Sequence, residues 1–515
     1  MRKRLLGVAL LIVLIPCVAL AFPTVFPHKT TIYKPEKCYN GYTVFGDEVE
    51  GSGTLLIDMN GNVVHKWVGI CDKEHPPKIL KGGYLMGTKR PKEGAKGRIW
   101  GDDMSTDLVI VDWDGKVVRN IPRAGMHHDH QVEGNPVGYH VPGMPYEKRD
   151  GKVLILSHKM AKNPAITDKE LYDDYITEVD ADGNIVWEWL ASEHFDEMNF
   201  PDEVKKTMYK YPTYTMTRTK GVKGGDWIHV NSASYLGPNK WYDEDPVKYK
   251  VFNPDNVIIS NRQTNTSCII EKATGKVVWQ IGPLYYKDTK WEFGGKVYKR
   301  AYKKLKQIIG NHHTHMVPKG LPGEGNILIY DNGGYGGYGP RNPGAHLGWS
   351  DARRDYSRVI EFDPRTLKVK WEHGPKQLGL RNGYQFYSDY VSSAQRLPNG
   401  NTLITNGAVG QIQEVTPEHE VVWEYISPFY NPSGNYNLVY RAYRVPYDYI
   451  PQLEKPVETA VIPPNNSDFV IGAAGAVTTA SPAAEMAKTD AEEEEDDEDD
   501  EDDEDDEEEA SMNAY

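Results

Sequence analysis

The segment at 310–316, "GNHHTHM", places three histidines within four residues. A neutral imidazole can attack as a nucleophile, move a proton near neutral pH or ligate a metal. The spacing fits no strong metal motif, so the rest of the chain must discriminate. Two other segments carry histidines in similar company, "MHHDH" (126–130) and "DWIHVNS" (226–232), and "ISNRQTN" (259–265) adds a guanidinium at Arg262.

An internal repeat shows what would position these side chains. The segments "TLLIDMNGNVVHKWV" (54–68), "LVIVDWDGKVVRNIP" (108–122), "ITEVDADGNIVWEWL" (176–190), "CIIEKATGKVVWQIG" (268–282), "VIEFDPRTLKVKWEHG" (359–374) and "IQEVTPEHEVVWEYI" (412–426) share one plan. Each is an alternating apolar strand, a turn rich in Asp, Gly or Asn, and a second strand that usually ends near Trp. Asn-Gly and Asp-Gly favour tight hairpins because glycine tolerates positive φ. A second phrase, cleanest as "AQRLPNGNTLITNG" (394–407), precedes several hairpins and supplies two more strands. Six copies predict an all-β fold, a six-bladed β-propeller with short helical insertions between blades. Helices are expected at 168–175, 195–210 and 297–309.

The innermost strand of a propeller blade lines the central channel. Counting five residues upstream of the turn in the second phrase selects His128, Asn231, His312 and Ser392. His229 lies two residues before Asn231, on the same strand face, and Arg262 falls on the next strand of that blade. These residues should therefore gather at one mouth of the channel. In this register His313 should point to the face opposite His312, and His315 lies nearer the turn. His127 and His130, with His313 and His315, are assigned supporting or structural roles. Three imidazoles, a guanidinium, an amide and a hydroxyl suit an anionic, oxygen-rich group. A three-histidine metal site is the competing chemistry. Arg262 argues against it, since a cation beside the ion would be repelled, and no metal is expected.

The ends bound the setting. A basic start, an apolar run from Leu5 to Ala21 and the Ala19-Leu20-Ala21 sequence read as a signal peptide over 1–21; the alternative is an uncleaved anchor. No later segment is long and apolar enough to cross a bilayer, so a periplasmic or secreted protein with no span after cleavage is expected. Residues 490–509 hold 19 acidic side chains. Removing those 19 from the total of 74 leaves 55 acidic against 59 basic residues, so the net charge of −15 belongs to the tail. The expected organisation is a propeller over 22–455, a flexible linker over 456–489 and a disordered acidic tail over 490–515. No basic footprint for nucleic acid is present. Cys38 and Cys71 could pair in an oxidising compartment, whereas Cys268, in the apolar "SCIIEK", reads as a buried inert thiol.

Taken together, "MHHDH", "DWIHVNS", "IISNRQ", "NHHTHMVPKG", "GNILIYDNGG", "SSAQRLPNGNTLI" and "EVTPEHEVVWEY" resemble the bacterial aryl-sulfate sulfotransferase family, the phosphoadenosine-independent type built on a six-bladed propeller. The resemblance spans roughly 40–445. It implies a ping-pong reaction that carries a sulfuryl group from an aryl sulfate donor to a histidine and then to a phenolic acceptor. The family's Gln-His motif matches Asn311-His312, which makes His312 the sulfated nucleophile. His229, Asn231 and Arg262 match the residues that hold the sulfate oxygens. His128 matches the acid or base at the phenolic oxygen, with His127 as the alternative, and Ser392 stands where the family carries a small hydroxyl residue. No cofactor is implied, and the sequence has no GxxxxGK[ST] phosphate loop. The other readings are a non-catalytic exported propeller that binds a ligand or cell-surface partner, and a metal-dependent hydrolase or lyase.

Overall fold

The computed structural model describes residues 28–47, 53–71, 75–89, 105–144, 148–213, 224–284, 286, 288–334, 336–338, 354–431 and 436–463. The expected leader, the acidic tail and most of the linker lie outside them. Six antiparallel sheets form the blades of a propeller. Each repeat hairpin supplies the third and fourth strands of its blade, as the pattern predicted. Blade three is Met126–Val132, Val153–Ala161, Glu170–Val179 and Ile185–Leu190. Blade four is Val230–Tyr235, Val257–Asn261, Thr266–Ile270 and Val277–Ile281. Blade five is His312–Met316, Ile327–Asp331, Arg358–Phe362 and Val369–His373. Blade six starts at Ser393–Arg396 and gains a fifth, outermost strand, Lys29–Tyr33.

Ring closure was not foreseen. The innermost strand of blade one is Ala442–Pro446, from the far end of the fold, paired with Gly41–Gly46. Uniting early and late strands in one sheet ties the first blade to the last. Past it, Val461 exchanges backbone hydrogen bonds with Tyr33 at 2.7 and 2.9 Å, so residues up to 463 run along the propeller.

The repeated tryptophan has a physical role. Each indole N–H donates to a carbonyl in the hairpin turn of the next blade: Trp67 to Asp112 at 3.0 Å, Trp189 to Gly275 at 2.9 Å, Trp279 to Pro364 at 2.9 Å, Trp371 to Pro417 at 3.0 Å and Trp423 back to Met59 at 2.8 Å. Blade two has no such tryptophan, and Arg119 substitutes, donating to Asp180 O at 3.1 Å. Between blades, alternate side chains of one strand serve different neighbours. In Val257–Asn261, Val257 and Ile259 pack with Leu154, Leu156 and Ile176 of blade three, while Ile258 packs with Ile327 and Ile329 of blade five. Both faces are therefore apolar, and burying each such side chain stabilises the fold by roughly 1.5–3 kcal/mol.

Several expectations fail locally. The helix at 168–175 is instead part of the ten-residue strand Glu170–Val179, paired residue for residue with Val153–Ala161; sheet pairing overrides helical spacing. The helix at 195–210 is split. A 3-10 segment, Ala191–Met198, ends at Asn199 in the left-handed region (φ 51°), and an α-helix, Asp202–Lys210, restarts after Pro201. Of 297–309 only Ala301–Leu305 is helical, because Lys296–Tyr298 pairs with Trp291–Phe293 and Lys306 takes φ 62°. The hairpin turns are also looser than two residues. In the first, Ile57 pairs with Val63, Gly61 supplies φ 81°, and Asp58 Oδ1 accepts from Asn62 N at 2.8 Å. No Cys38–Cys71 bridge exists; none of the three described cysteines is in a disulfide. Cys38 Sγ lies 3.3 Å from Val422 O, and Cys71 packs against Gly87. Cys268 is buried, and burial pushes its thiol up to about 12. Among the described residues no helix is long and apolar enough to cross a membrane.

Candidate active site

In a six-membered ring, side chains from blades that are not neighbours meet only across the central channel. Arg441, just before the inner strand of blade one, donates to Asp129 Oδ2 of blade three at 3.1 Å and to Asn231 O of blade four at 3.2 Å. Asp129 also accepts from Lys78 of blade two at 2.7 Å. His313 of blade five meets Tyr443 of blade one with ring centroids 5.9 Å apart, and His315 Nε2 lies 3.0 Å from Tyr139 OH. These buried residues plug the channel.

Beside the plug the predicted residues converge. The rings of His128 and His229 meet edge to face at 4.8 Å, and Tyr440 packs on His128 at 5.5 Å. The proton affinity of His312 is lowered by burial, then by Arg262 and His229, which places all three in one electrostatic neighbourhood. The backbone N–H of Arg262 donates to His229 O at 3.0 Å, and its guanidinium has Asp226, Asp389 and Tyr390 close by. The chain reaches these positions through uncommon backbone conformations. His128, His229, His313 and Ser392 have φ of 56°, 51°, 51° and 89°. Left-handed non-glycine residues cost of order 1–3 kcal/mol and collect at functional sites. Ladder register slips beside His128, His229 and His313. His313 packs on His315 and Tyr443, a set of partners different from the Asn332 and Val391 that His312 meets.

His312 has the most defined chemistry. Its Nδ1 lies 2.9 Å from Gly310 O and 2.8 Å from Asn332 Oδ1. Asn332 is oriented by its own amide, which donates to Ser388 O and Val391 O at 2.7 and 2.9 Å. Both neighbours of Nδ1 are acceptors, so the network assigns the proton to Nδ1 and the lone pair to Nε2. Nε2 accepts from Val391 N at 3.2 Å. His229 Nδ1 lies 2.5 Å from Asp226 Oδ2, so chemistry at His229 runs through Nε2. Burial acts to raise the Asp226 carboxyl but is outweighed by His229, His158 and Arg262, which hold it below its ordinary range. His128 Nδ1 is 2.8 Å from His127 Nδ1, and burial, then His229, pushes its proton affinity well down.

Two predicted residues sit differently from the rest. Asn231 Nδ2 donates to Asn311 O at 2.7 Å, bracing the backbone beside His312, and leaves Oδ1, an acceptor, as its unengaged atom. Ser392 Oγ donates to Ser388 Oγ at 2.8 Å and accepts from Gly407 N at 3.0 Å, within a turn. Its neighbour Val391 is the one that reaches His312. Counting along strands missed Asn332, Asp226, Tyr390 and Tyr440. Asp226 and Asn332 lie inside "DWIHVNS" and "GNILIYDNGG", three residues before His229 and twenty after His312, where a partner for imidazole Nδ1 could have been sought. A separate surface recess of about 430 Å³, lined by Lys152, Glu178, Trp187, Glu271 and Lys272, shares no residue with this cluster.

A family model described as "Arylsulfotransferase (ASST)" matches residues 30–430. No curated protein matches. Among solved structures, a protein of unknown function from Bacteroides caccae is similar at 11% identity and TM-score 0.39, over 79% of this chain and 99% of that one. The β-propeller domain of Cps50 (Swd1) from Myceliophteria thermophila is similar at 9% identity and TM-score 0.35, over 79% and 88%. Sqt1 from Saccharomyces cerevisiae is similar at 10% identity and TM-score 0.32, over 78% and 84%.

Proposed function

The chain belongs to the arylsulfotransferase family, a family of enzymes that move sulfuryl groups from aryl sulfates to phenols without a phosphoadenosine donor, and from that premise we propose that transfer runs in two steps through His312. Nε2 of His312 attacks the sulfur of the donor. The anionic donor favours proton uptake by His128; the N–S bond forms as the aryl O–S bond breaks, and the departing phenolate oxygen takes that proton from the imidazolium of His128. A phenolic acceptor then binds, gives its proton to His128 and attacks the sulfur, so the N–S bond breaks and His312 regains its lone pair. The observation that carries this reading is the pair of acceptors at Nδ1, which directs the lone pair to Nε2. The backbone N–H of Val391 must release Nε2 before attack.

The sulfuryl oxygens gather negative charge during transfer, and Arg262 with the imidazole of His229 offsets it where water is excluded. Sulfuryl transfer parallels phosphoryl transfer, in which positioning and charge supply most of the rate. A phenol with a pKa near ~10 needs only modest acid help as a leaving group. Asn231 supports the backbone of Asn311, and Ser392 holds the turn that delivers Val391. We further propose that residues 1–21 direct export and that the reaction takes place in a periplasmic or secreted setting. The testing assay mixes the protein with a chromogenic aryl sulfate, with and without a phenol. Multiple turnovers should require the phenol. Equal steady release without it would replace transfer with hydrolysis, and no release with any donor would favour a ligand-binding propeller.

A further inference from the structure

The proposed transfer uses one nitrogen each of His128 and His229, and behind both lies a second cluster that it leaves without a role. His127 comes from the inner strand of blade three, His158 from the second strand and Asp174 from the third, where His158 and Asp174 are direct cross-strand partners. Asp226 arrives from the approach to blade four. All four are buried. His127 Nε2 is 3.2 Å from Asp174 Oδ1, His158 Nε2 is 3.8 Å from the same oxygen and 4.0 Å from Asp226 Oδ1, and the two imidazoles stack at 3.7 Å. The donor atoms of His127, His158 and Asp174 all lie within 4.8 Å of one another.

Hydrogen bonds account for only part of this convergence. The Asp174 carboxylate accepts from the backbone N–H groups of Val230 and His229, whereas among the described residues His127 Nε2 and Asp226 Oδ1, both buried, have no hydrogen-bond partner. A buried imidazole nitrogen and a buried carboxylate oxygen left in this state need a shared partner. A metal ion about 2.0–2.2 Å from each of four ligands in a tetrahedron sets the ligand atoms roughly 3.3–3.6 Å apart. The separations of 3.2 and 3.8 Å among His127, His158 and Asp174 bracket that edge, and Asp226 Oδ1, 4.0 Å from His158 Nε2 and outside that trio, would draw in as the fourth ligand. Two carboxylates match the charge of a divalent cation, with Arg262 acting on Asp226 and not on Asp174 among the groups that shift them, and imidazole nitrogen with carboxylate oxygen suits zinc-class ions over calcium or magnesium.

We propose that His127, His158, Asp174 and Asp226 form a closed site for one zinc-class divalent ion. The site keeps no position for a reacting water, so its work is positioning. An ion on His127 Nε2 requires the proton on Nδ1, which then donates to His128 Nδ1 and leaves His128 its Nε2–H toward the pocket. The same ion on Asp226 Oδ1 holds the carboxylate whose other oxygen orients His229. A metal that orients functional imidazoles through its own ligands is the outer-shell arrangement in reverse.

The test reads metal content, independently of turnover. The full chain is stripped with chelator and titrated with Zn²⁺ in excess Mg²⁺, which occupies the carboxylate-rich tail. The expected result is uptake of about one equivalent, with affinity at least roughly tenfold weaker in Asp174→Asn and unchanged in His312→Asn. Co²⁺ loading of the unaltered chain should give the strong visible absorption of tetrahedral cobalt, a readout that survives if the variant fails to fold. No saturable uptake beyond the Mg²⁺-competed background would overturn the site. So would uptake unchanged in a folded Asp174→Asn, or octahedral cobalt only.

Discussion

The strand His312–Met316 serves two buried regions with opposite electrostatic designs. At its start, His312 faces Arg262, His229 and His128. One and three residues later, His313 and His315 face Tyr443, Tyr139 and Arg441. In the plug, charges are matched in closed pairs, Lys78–Asp129 at 2.7 Å and Arg441–Asp129 at 3.1 Å, and burial pulls the Lys78 ammonium only to about 8 against the hold of Asp129. In the pocket, Asn332 and Asp226 orient His312 and His229 through Nδ1, and the Nε2 lone pair of His312 meets the backbone N–H of Val391. Ion pairing makes the plug rigid and inert, and anchoring through Nδ1, which leaves Nε2 to a displaceable N–H, makes the pocket reactive. Histidine content alone does not separate the two; what each ring nitrogen touches does.

The widest test of that division sets His312→Asn against His313→Asn. The first should lower turnover by a factor on the order of 10⁴ or more with the fold intact by circular dichroism, whereas the second should keep transfer and lose stability. Comparable activity loss in both would merge the two regions. Next, Arg441→Leu removes one cation from a buried carboxylate and should cost about 3–5 kcal/mol in urea unfolding. A change below about 1 kcal/mol would show that Asp129 is satisfied without it. In the pocket, Arg262→Gln should lower kcat by roughly 10²–10³ with little loss of stability. A rise in KM alone would confine Arg262 to ground-state binding.

Acid should act on both regions through stability. Burial holds His158 and His315 at about 4, the latter aided by Arg441, and His373 at about 3, also aided by His419; His312 and His313 are pushed well down as well. The unfolded chain binds these protons first, near 6.5, so stability is whole above that pH. Each such histidine then costs about 1.4 kcal/mol per pH unit as pH falls from 6.5 to its folded value. Asp173, raised to about 6 by burial, and Asp174, pushed well up by burial and then by Asp226, act the other way, but two carboxyls do not balance the larger number of buried imidazoles. Urea midpoints should therefore fall steeply between pH 6.5 and 4, and a flat profile would contradict neutral buried histidines. The smallest effect expected is Trp279→Phe, which removes one indole donor between blades four and five. It should cost about 0.5–1.5 kcal/mol, with turnover unchanged.

The repeat made the propeller and its outer strands readable, because each hairpin carries its own turn chemistry and its own tryptophan. The velcro strand Ala442–Pro446 was not readable, since closure pairs residues about 400 apart and leaves no local pattern. The strand at 170–179 was misread because its acidic, aromatic spacing suits a helix until Asp173 and Asp174 are seen inside a sheet. In the site, counting back from the turns selected His128 and His312, and strand alternation and adjacency added His229 and Arg262. It did not show that His313 and His315 belong to the plug, because their partners Tyr443 and Tyr139 come from distant segments. It also left out Asn332, Asp226 and Val391, whose roles depend on contacts that only the assembled blades create.

The most direct measurement is a single-turnover reaction with an isotopically labelled aryl sulfate and no acceptor, quenched and digested. The account predicts a burst of about one phenol per chain and the label on the peptide that contains His312, discharged when phenol is added before the quench. A label on another residue, or phenol released with no labelled peptide, would contradict transfer through His312.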